Sequence, residues 1–539
     1  MEEVTGAMVP GTEMIFRTSN SDEHLKTDGD IVLIPQPTDS INDPLNWSRP
    51  RRWWNAFVVL SLVGLTAATS NSASSAQDGL QAAFDIPDNI FNVGAGVLFI
   101  AIGYWTLISG PTIYLWGHRF TYLSSLLFGI IGNAWYARVS GSSGAIWSQL
   151  FVGASECVGE AVAQLSLSQI FFQHNMSHAL GIYVLATSTG TFLGPLISGF
   201  AAANLGWQWV GYLGLIFNVI FFFVVLFGLE ETYFDRSGYK QASNALVERN
   251  SSKDQDKLGP MTSSVRTIQD ESQVNELSAE TPRPYLKGIA LFTPAPNLVG
   301  WGFRQYIHRF KLLFRVFTFP AVIYAGLQWG FQNSWLTFYI TTEADTWSSP
   351  PYNYGTAGVA LMNVPSLIGA AIGCLYGSYF SDWLVLRMAR SNGGIKEAES
   401  RLWAMVLAGI ISPLGMFLFG AGTQNEWNWV PSYIALGFIG FGFGCCGDLS
   451  MSYLVDCYPD MVLEGMIGVA VINNTLAMAF SFAANSWLNI GTLKAYIAVG
   501  VVDFVIIMLA IPLIIWGKFF RQWTANMYLN FIRDRDSLQ

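Results

Sequence analysis

Residues 207–229 read WQWVGYLGLIFNVIFFFVVLFGL, twenty-three positions without one charged side chain, ended by the acid pair Glu230-Glu231. A helix needs roughly 20 apolar residues to cross the hydrocarbon core of a bilayer. A soluble helix of that length keeps a polar face, and this run has none. Similar runs lie near 53–75, 90–114, 120–138, 145–172 and 179–201 before it. Others lie near 315–341, 355–380, 402–421, 428–455, 465–490 and 494–517 after it. No Lys or Arg occurs between Arg52 and Arg119, Arg138 and Arg236, Arg315 and Arg387, or Arg401 and Lys494. A charge at the bilayer centre costs at least about 2.5–3.5 kcal/mol, so such cation-free stretches mark a chain built for lipid. The expected fold class is an all-α membrane protein with twelve transmembrane helices in two six-helix bundles.

Composition agrees. Of 539 residues, 52% are hydrophobic and only 12% charged, too few charges to coat soluble domains. The net charge of −9, with no basic stripe, argues against nucleic-acid binding. The five cysteines (Cys157, Cys374, Cys445, Cys446 and Cys457) lie in or beside apolar runs without a CxxC pair, so neither a disulfide framework nor a metal site is expected. No G-x4-G-K-[S/T] phosphate loop is present, which argues against ATP hydrolysis. No nucleophile–base pair stands out; an enzyme and a cofactor are not expected.

The runs divide the chain into a tail (1–52), a first bundle (53–229), a linker (230–314), a second bundle (315–517) and a second tail (518–539). With the N-terminus in the cytoplasm, the opposite face receives only Arg138 and Lys494 of the 28 Lys and Arg. A multi-pass protein of the cell membrane with both termini cytoplasmic is therefore expected, as a monomer. The middle of the linker, Ala242 to Thr281, is Ser-, Asp-, Glu-, Gln- and Asn-rich and is expected to be disordered. Phe303 to Phe314 (FRQYIHRFKLLF) suits an amphipathic helix on the cytoplasmic leaflet, with a stop-transfer charge cluster as the alternative.

Polar residues inside the runs are the functional signal. Gln149, Gly153, Glu156, Glu160 and Gln164 are spaced 4, 3, 4 and 4, which puts them on one helical face. Two acids on such a stripe face the protein interior or a wet cavity, where they suit a proton acceptor or a cation ligand. The alternative is that neighbouring Ser, Asn or Trp groups satisfy both and they only pin helices. Asp448 and Asp456 lie eight residues apart in the tenth run, the first deep enough for a cavity, the second placed for a structural or gating role. Asp503 in the twelfth reads as a packing or rim residue. Gln328, Trp329, Gln332 and Asn333 make an amide and indole cluster suited to an organic ligand, to which Asn473 and Asn474 add further amides.

Six stretches carry a resemblance. They are Asp43-Pro-Leu-Asn-Trp47, Gly190-x3-Gly194-Pro195-x3-Gly199, Gly206-Trp-Gln-Trp209 and Glu230-Glu-Thr-Tyr-Phe-Asp-Arg236, with Ser381-Asp382-Trp383 through Arg401-Leu-Trp403, and Tyr453-x2-Asp456-x-Tyr458. From Asp43 onward the chain resembles the major facilitator superfamily, specifically its fungal twelve-span drug:proton antiporter-like group. The resemblance implies a hinge at Gly190, Gly194, Pro195 and Gly199. Read from the residues, the same spacing is small-residue helix packing. Arg119 and Asp382 are the corresponding candidates for a conformational gate. Asp382 has Arg387 and Arg390 on the next turns, so a charge relay and a solvated loop both remain open.

Departures accompany the matches. The loop Pro111 to Arg119 keeps Gly117 and Arg119 but lacks the usual Asp, no Arg lies between Arg138 and Arg236, and Asn473 stands where relatives carry an Arg. The functional expectation is a secondary active transporter that exports small organic molecules, drug-like or secondary metabolites, by alternating access with protons as partner. Carriage of organic cations such as polyamines, a facilitative carrier and a membrane sensor without proton coupling are the alternatives.

Overall fold

The computed structural model describes residues 9–14, 27–28, 31–33, 35–234, 236, 239, 283–295 and 298–537. The stretch Ala242 to Thr281, expected to be disordered, lies outside the described residues. Where water is absent, a chain satisfies its backbone N–H and C=O groups within each crossing, so the apolar runs become helices. In the first half these are α1 (Arg49–Asn71), the short α2 (Gln77–Phe84), α3 (Asp88–Trp116), α4 (His118–Tyr136), α5 (Ser142–Glu160), α6 (Val162–Ile170), α7 (Gln173–Leu205) and α8 (Gln208–Gly228). After α9 (Phe303–Leu313) the second half has α10 (Pro320–Thr342), α11 (Thr356–Leu361), α12 (Asn363–Leu375), α13 (Ser381–Ser391), α14 (Met405–Gln424), α15 (Trp429–Cys457), α16 (Val462–Leu488), α17 (Thr492–Met508) and α18 (Ala510–Asp536).

Among the described residues ten segments are long and apolar enough to cross a membrane, and an eleventh if α9 and α10 count as one bent span. Helix α4, with His118 and Arg119 in its first turn, packs against α5 and α8 and completes the twelve. The crossing 142–170 is broken at Ala161, where φ is −145° and ψ −38°. The segment carrying α9 turns 82° from α10 and so lies across the end of the bundle. There Tyr306 donates to the Ile108 carbonyl (2.8 Å) and Arg309 stacks over Tyr114 at 4.5 Å. The residues after 517, expected as a tail, continue the last helix to Asp536 and bury Arg521, Tyr528 and Phe531.

Within the first half α1 packs on α7, α3 on α5, and α4 on α5 and α8; within the second α10 packs on α16, and α15 on α12 and α14. The halves meet along α3 with α16 and α7 with α12. Small residues permit these approaches. Gly190 sits against the Gly64 carbonyl, and a Cβ at Gly194 would come within 2.5 Å of the Ala68 carbonyl oxygen. Gly199 instead faces the second half, where a Cβ would meet that of Ala360 at 2.6 Å. The expected hinge thus binds α7 to α1 on one side and to the other half on the next turns. The Pro195 carbonyl accepts from the Ser75 hydroxyl (3.1 Å).

The first described residues and the end of α18 lie at one face, here the terminal face. Strand β1 (Thr12–Met14) pairs antiparallel with β4 (Ile395–Glu397), while β2 (Thr27–Asp28) pairs with β3 (Ile31–Val32). Gly11 admits the first strand: its φ is +76°, and a Cβ there would lie 2.8 Å from the Asp456 carbonyl oxygen. Arg521 donates to Glu397 (2.8 Å), Glu399 (2.6 Å), the Thr12 hydroxyl (3.1 Å) and the Pro10 carbonyl. Burial alone would raise the Glu397 carboxyl, but Lys518, Arg521 and Thr12 outweigh it and hold it below the usual carboxylate range.

Beside this strand Arg401, 3% exposed, donates to Asp382 (2.8 Å), Asp456 (3.1 Å), Ser381 (2.8 Å) and Ser177 (2.7 Å). Lys396 completes Asp456 at 2.7 Å. Ser177 and His178 belong to α7, and His178 Nε2 lies 3.5 Å from Asp382, so the cluster joins the halves. Arg401 is therefore the cation that holds Asp382; Arg387 lies over the Trp383 ring instead. A second junction runs from the Tyr114 hydroxyl to Glu464 (3.3 Å), with Arg535 3.7 Å from the same acid. These contacts close the terminal face.

Arg119 is fully buried within the first half, donating to the carbonyls of Ala290 (2.8 Å) and Leu226 (2.6 Å). It therefore fastens the end of α8 to the linker and does not bridge the halves. Next to it His118 Nδ1 lies 2.7 Å from Glu231. Burial would raise the Glu231 carboxyl, but His118 and the backbone N–H groups of Arg119 and Tyr233 bring it down to about 2. The stabilisation this acid provides is complete above its unperturbed pKa near 4.5 and is lost as pH falls toward about 2. Stretches 43–47 and 230–236 also meet, through Asp43–Arg236 (3.1 Å), and Arg51 of α1 donates to Glu230 (2.9 Å).

Two outcomes follow from this packing. Gly194→Leu is expected to lower stability by about 1–3 kcal/mol through forced separation of α1 and α7, read as a lower unfolding midpoint in detergent. Gly355→Ala, where a Cβ meets nothing within 4 Å, is the control that should leave the midpoint in place. Arg401→Ala removes the arginine that Asp382 and Asp456 share and leaves Asp456 with Lys396 alone, and should cost about 3–5 kcal/mol in the same assay.

Candidate functional site

Where α1, α3, α5 and α7 of one half meet α10, α15 and α16 of the other, a small chamber of about 20 Å³ is enclosed. Glu156 and Glu160 line it with Ser70, Asn71, Trp329, Asn333 and Asn474, and Phe99 and Phe443 add ring faces. The two acids are 9% and 8% exposed, and Oε2 of each lacks a hydrogen-bond donor. No Lys or Arg lines the chamber. Glu160 is the last residue of α5, immediately before the break at Ala161. The negative end of a helix dipole therefore adds to the two carboxylates. An interrupted crossing at a midpoint site is a recurrent cation-binding arrangement in secondary transporters.

Amides connect the chamber to its surroundings. Asn473, fully buried, donates to Glu160 Oε1 at 3.4 Å and accepts from Asn333 at 3.1 Å. Gln164 donates to the Glu160 carbonyl at 3.1 Å and so staples α6 to α5 across the break. Helix α10 thus contributes Trp329 and Asn333 to the site.

Its other two amides face the interior of the second half. Gln328 donates to the Ile506 carbonyl (2.5 Å) and Gln332 to Asp503 (2.8 Å). Asp503 also accepts from Trp335 (2.9 Å) and Ser412 (2.6 Å). These groups fasten α10 and α14 to α17 and do not line the chamber. Asp448 lies apart as well. It packs between Gly181 of α7 and Gly377, accepts from Ser452 at 3.2 Å, and its Oδ2 has no donor. It sits on the seam between the halves. The remaining gate candidates, Asp382 and Asp456, lie in the closed cluster of the terminal face.

Away from that face the chamber widens. Ser70, Asn71, Leu98 and Phe99 also line a vestibule of about 140 Å³, with Gln149, Tyr136 and Phe91 on its walls and the exposed Ser74 at its rim. The vestibule is bounded by the ends of α1, α4 and α10 and the starts of α3 and α5, opposite the terminal face. The stripe Gln149–Glu156–Glu160 therefore runs from open vestibule to enclosed chamber.

Sequence reasoning passed over Ser70, Asn71, Phe443 and Glu343. Ser70 and Asn71 end an apolar helix, where polar residues are ordinary, and only their phase with Val63 and Ala67 points inward. Glu343 was detectable as an acid in the cation-free stretch between Arg315 and Arg387. It is 1% exposed just beyond α10, and burial pushes its carboxyl well above the usual range.

A bundle of two six-helix halves around a polar chamber fits what comparison with known proteins finds. The family model described as Major Facilitator Superfamily matches residues 56–482. An uncharacterised MFS-type transporter of Schizosaccharomyces pombe is 47% identical over 554 residues, covering 98% of this chain and 95% of the relative. Protein HOL1 of Saccharomyces cerevisiae is 42% identical over 574 residues, covering 98% of each. Among solved structures, the proton:xylose symporter XylE superposes with a TM-score of 0.59 at 11% identity, over 87% of this chain and 97% of that one. The chain belongs to the major facilitator superfamily, whose members are secondary transporters of small molecules and not enzymes.

Proposed function

We propose that this chain is an alternating-access carrier for small organic cations, polyamines among them, in which substrate and protons compete for Glu156 and Glu160. The supporting observation is charge. Among the described residues, two carboxylates share an enclosed chamber, one oxygen of each makes no hydrogen bond, and no basic side chain lines that chamber. An ionised pair left so would cost several kcal/mol per charge. The acids are stable there only when protonated or when paired with a cation that enters from outside. An ammonium group replaces the proton, and Phe99, Phe443 and Trp329 provide surfaces for alkyl stems and for the cation itself.

The distribution of Lys and Arg supports a cytoplasmic terminal face in the cell membrane. The vestibule then faces outward and the Arg401 cluster is the closed inner gate. Export in exchange for protons is the direction that the antiporter-like stretches support. Efflux of drug-like or secondary-metabolite molecules by the same cycle is the second reading. It is favoured by the vestibule, where Phe91, Phe99 and Tyr136 stand beside Asn71 and Gln149.

Flux of labelled spermidine by the full chain in proteoliposomes, with the pH gradient imposed in either direction, tests both coupling and direction. Transport is expected to follow the gradient. Glu156→Gln should reduce turnover at least about a hundredfold or uncouple it from pH, with unchanged insertion. Flux indifferent to pH would remove the proton, and full activity of Glu156→Gln would remove the acid pair from the mechanism.

A further inference from the structure

A third cavity, about 60 Å³, lies at the outer mouth and shares Ser74, Gln77 and Ile340 with the vestibule. Its walls come from both halves: Ser75 and Asp78 on one side, Glu343 and Asn363 on the other. Glu343 is 1% and Asn363 5% exposed, yet Glu343 Oε1 and Asn363 Oδ1 have no hydrogen-bond donor. The Asn363 amide nitrogen already donates to the Ala360 carbonyl (3.2 Å), whereas its oxygen has no partner among the described residues. Asp78 adds a second carboxylate and accepts from the Thr356 hydroxyl (3.3 Å), a bond that crosses between the halves. No Lys, Arg or His lines this cavity.

A buried acceptor without a donor is costly, and an acid more so. Here the two lining atoms without a partner are both acceptors and the formal charge is negative, so the complementary molecule is positively charged and carries several N–H donors. We infer that Glu343, Asn363 and Asp78 form a loading site for the ammonium group of an organic cation, separate from Glu156 and Glu160; this rests on the carrier reading above. The contiguous cavities give the cation a path: loading site, vestibule, chamber. Because Asp78 and Glu343 belong to opposite halves, an ammonium held by both draws the mouth together. Occupancy and closure of the outer side are thereby coupled.

The test is the concentration dependence of spermidine flux by the full chain in proteoliposomes, for wild type, Glu343→Gln and Asp78→Asn. Loss of a charge-assisted contact made before the translocation step should raise KM about tenfold in Glu343→Gln while kcat stays within about twofold. Asp78→Asn, at an exposed position, should shift KM in the same direction and decides the matter if Glu343→Gln fails to fold. An unchanged KM in the folded variants overturns the loading site and leaves the chamber assignment standing. Absence of spermidine flux in wild type overturns both.

Discussion

A charge taken into the low-dielectric interior of a membrane bundle must find an opposite charge or give up its own. The whole arrangement follows from how unevenly that requirement is met along the bundle axis. At the terminal face these acids meet it: Arg401 and Lys396 with Asp456, Arg401 with Asp382, Arg521 with Glu397 and Glu399. Halfway through, Glu156 and Glu160 have amides and hydroxyls for company but no cation. One end is held by paired charges, and the two acids in the middle stand without a cation among the described residues.

This division also separates two uses of buried polar groups. Asp503, with three donors from α10, α14 and the Trp335 indole, is saturated and acts as a rivet inside the second half. Glu160 has the same chemistry with fewer partners, and it stands at the one place where its helix is interrupted. A carboxylate that is fully bonded cannot exchange ligands without dismantling the helix packing around it. One with a bare oxygen beside a cavity can.

How far the chain could be read in advance divides along the same line. The crossings were legible because cation-free apolar runs have few other uses, and the stripe through Glu156 and Glu160 because i, i+4 spacing projects onto one face of any helix. The break after Glu160 was not: Ala161, where the backbone departs from the helix, is neither Gly nor Pro. On α10 the polar residues lie on several faces, so spacing alone could not tell which would meet the chamber. Asn333 and Trp329 do; Gln328 and Gln332 meet α17 instead. The last tail hid its helix because Arg521 looks like a solvent residue until Glu397 and Glu399, more than 120 positions away, are brought beside it. Partners so distant in sequence leave no periodic trace.

The antiparallel pairing of Thr12–Met14 with Ile395–Glu397 reaches beyond local architecture. Residues Thr12–Met14 precede the first half in the chain yet pair with the second. Chimeras that exchange N-terminal halves between relatives would therefore import a foreign ribbon onto the recipient's loop. Exchanges that keep Thr12–Met14 with the second half they pair with respect this contact.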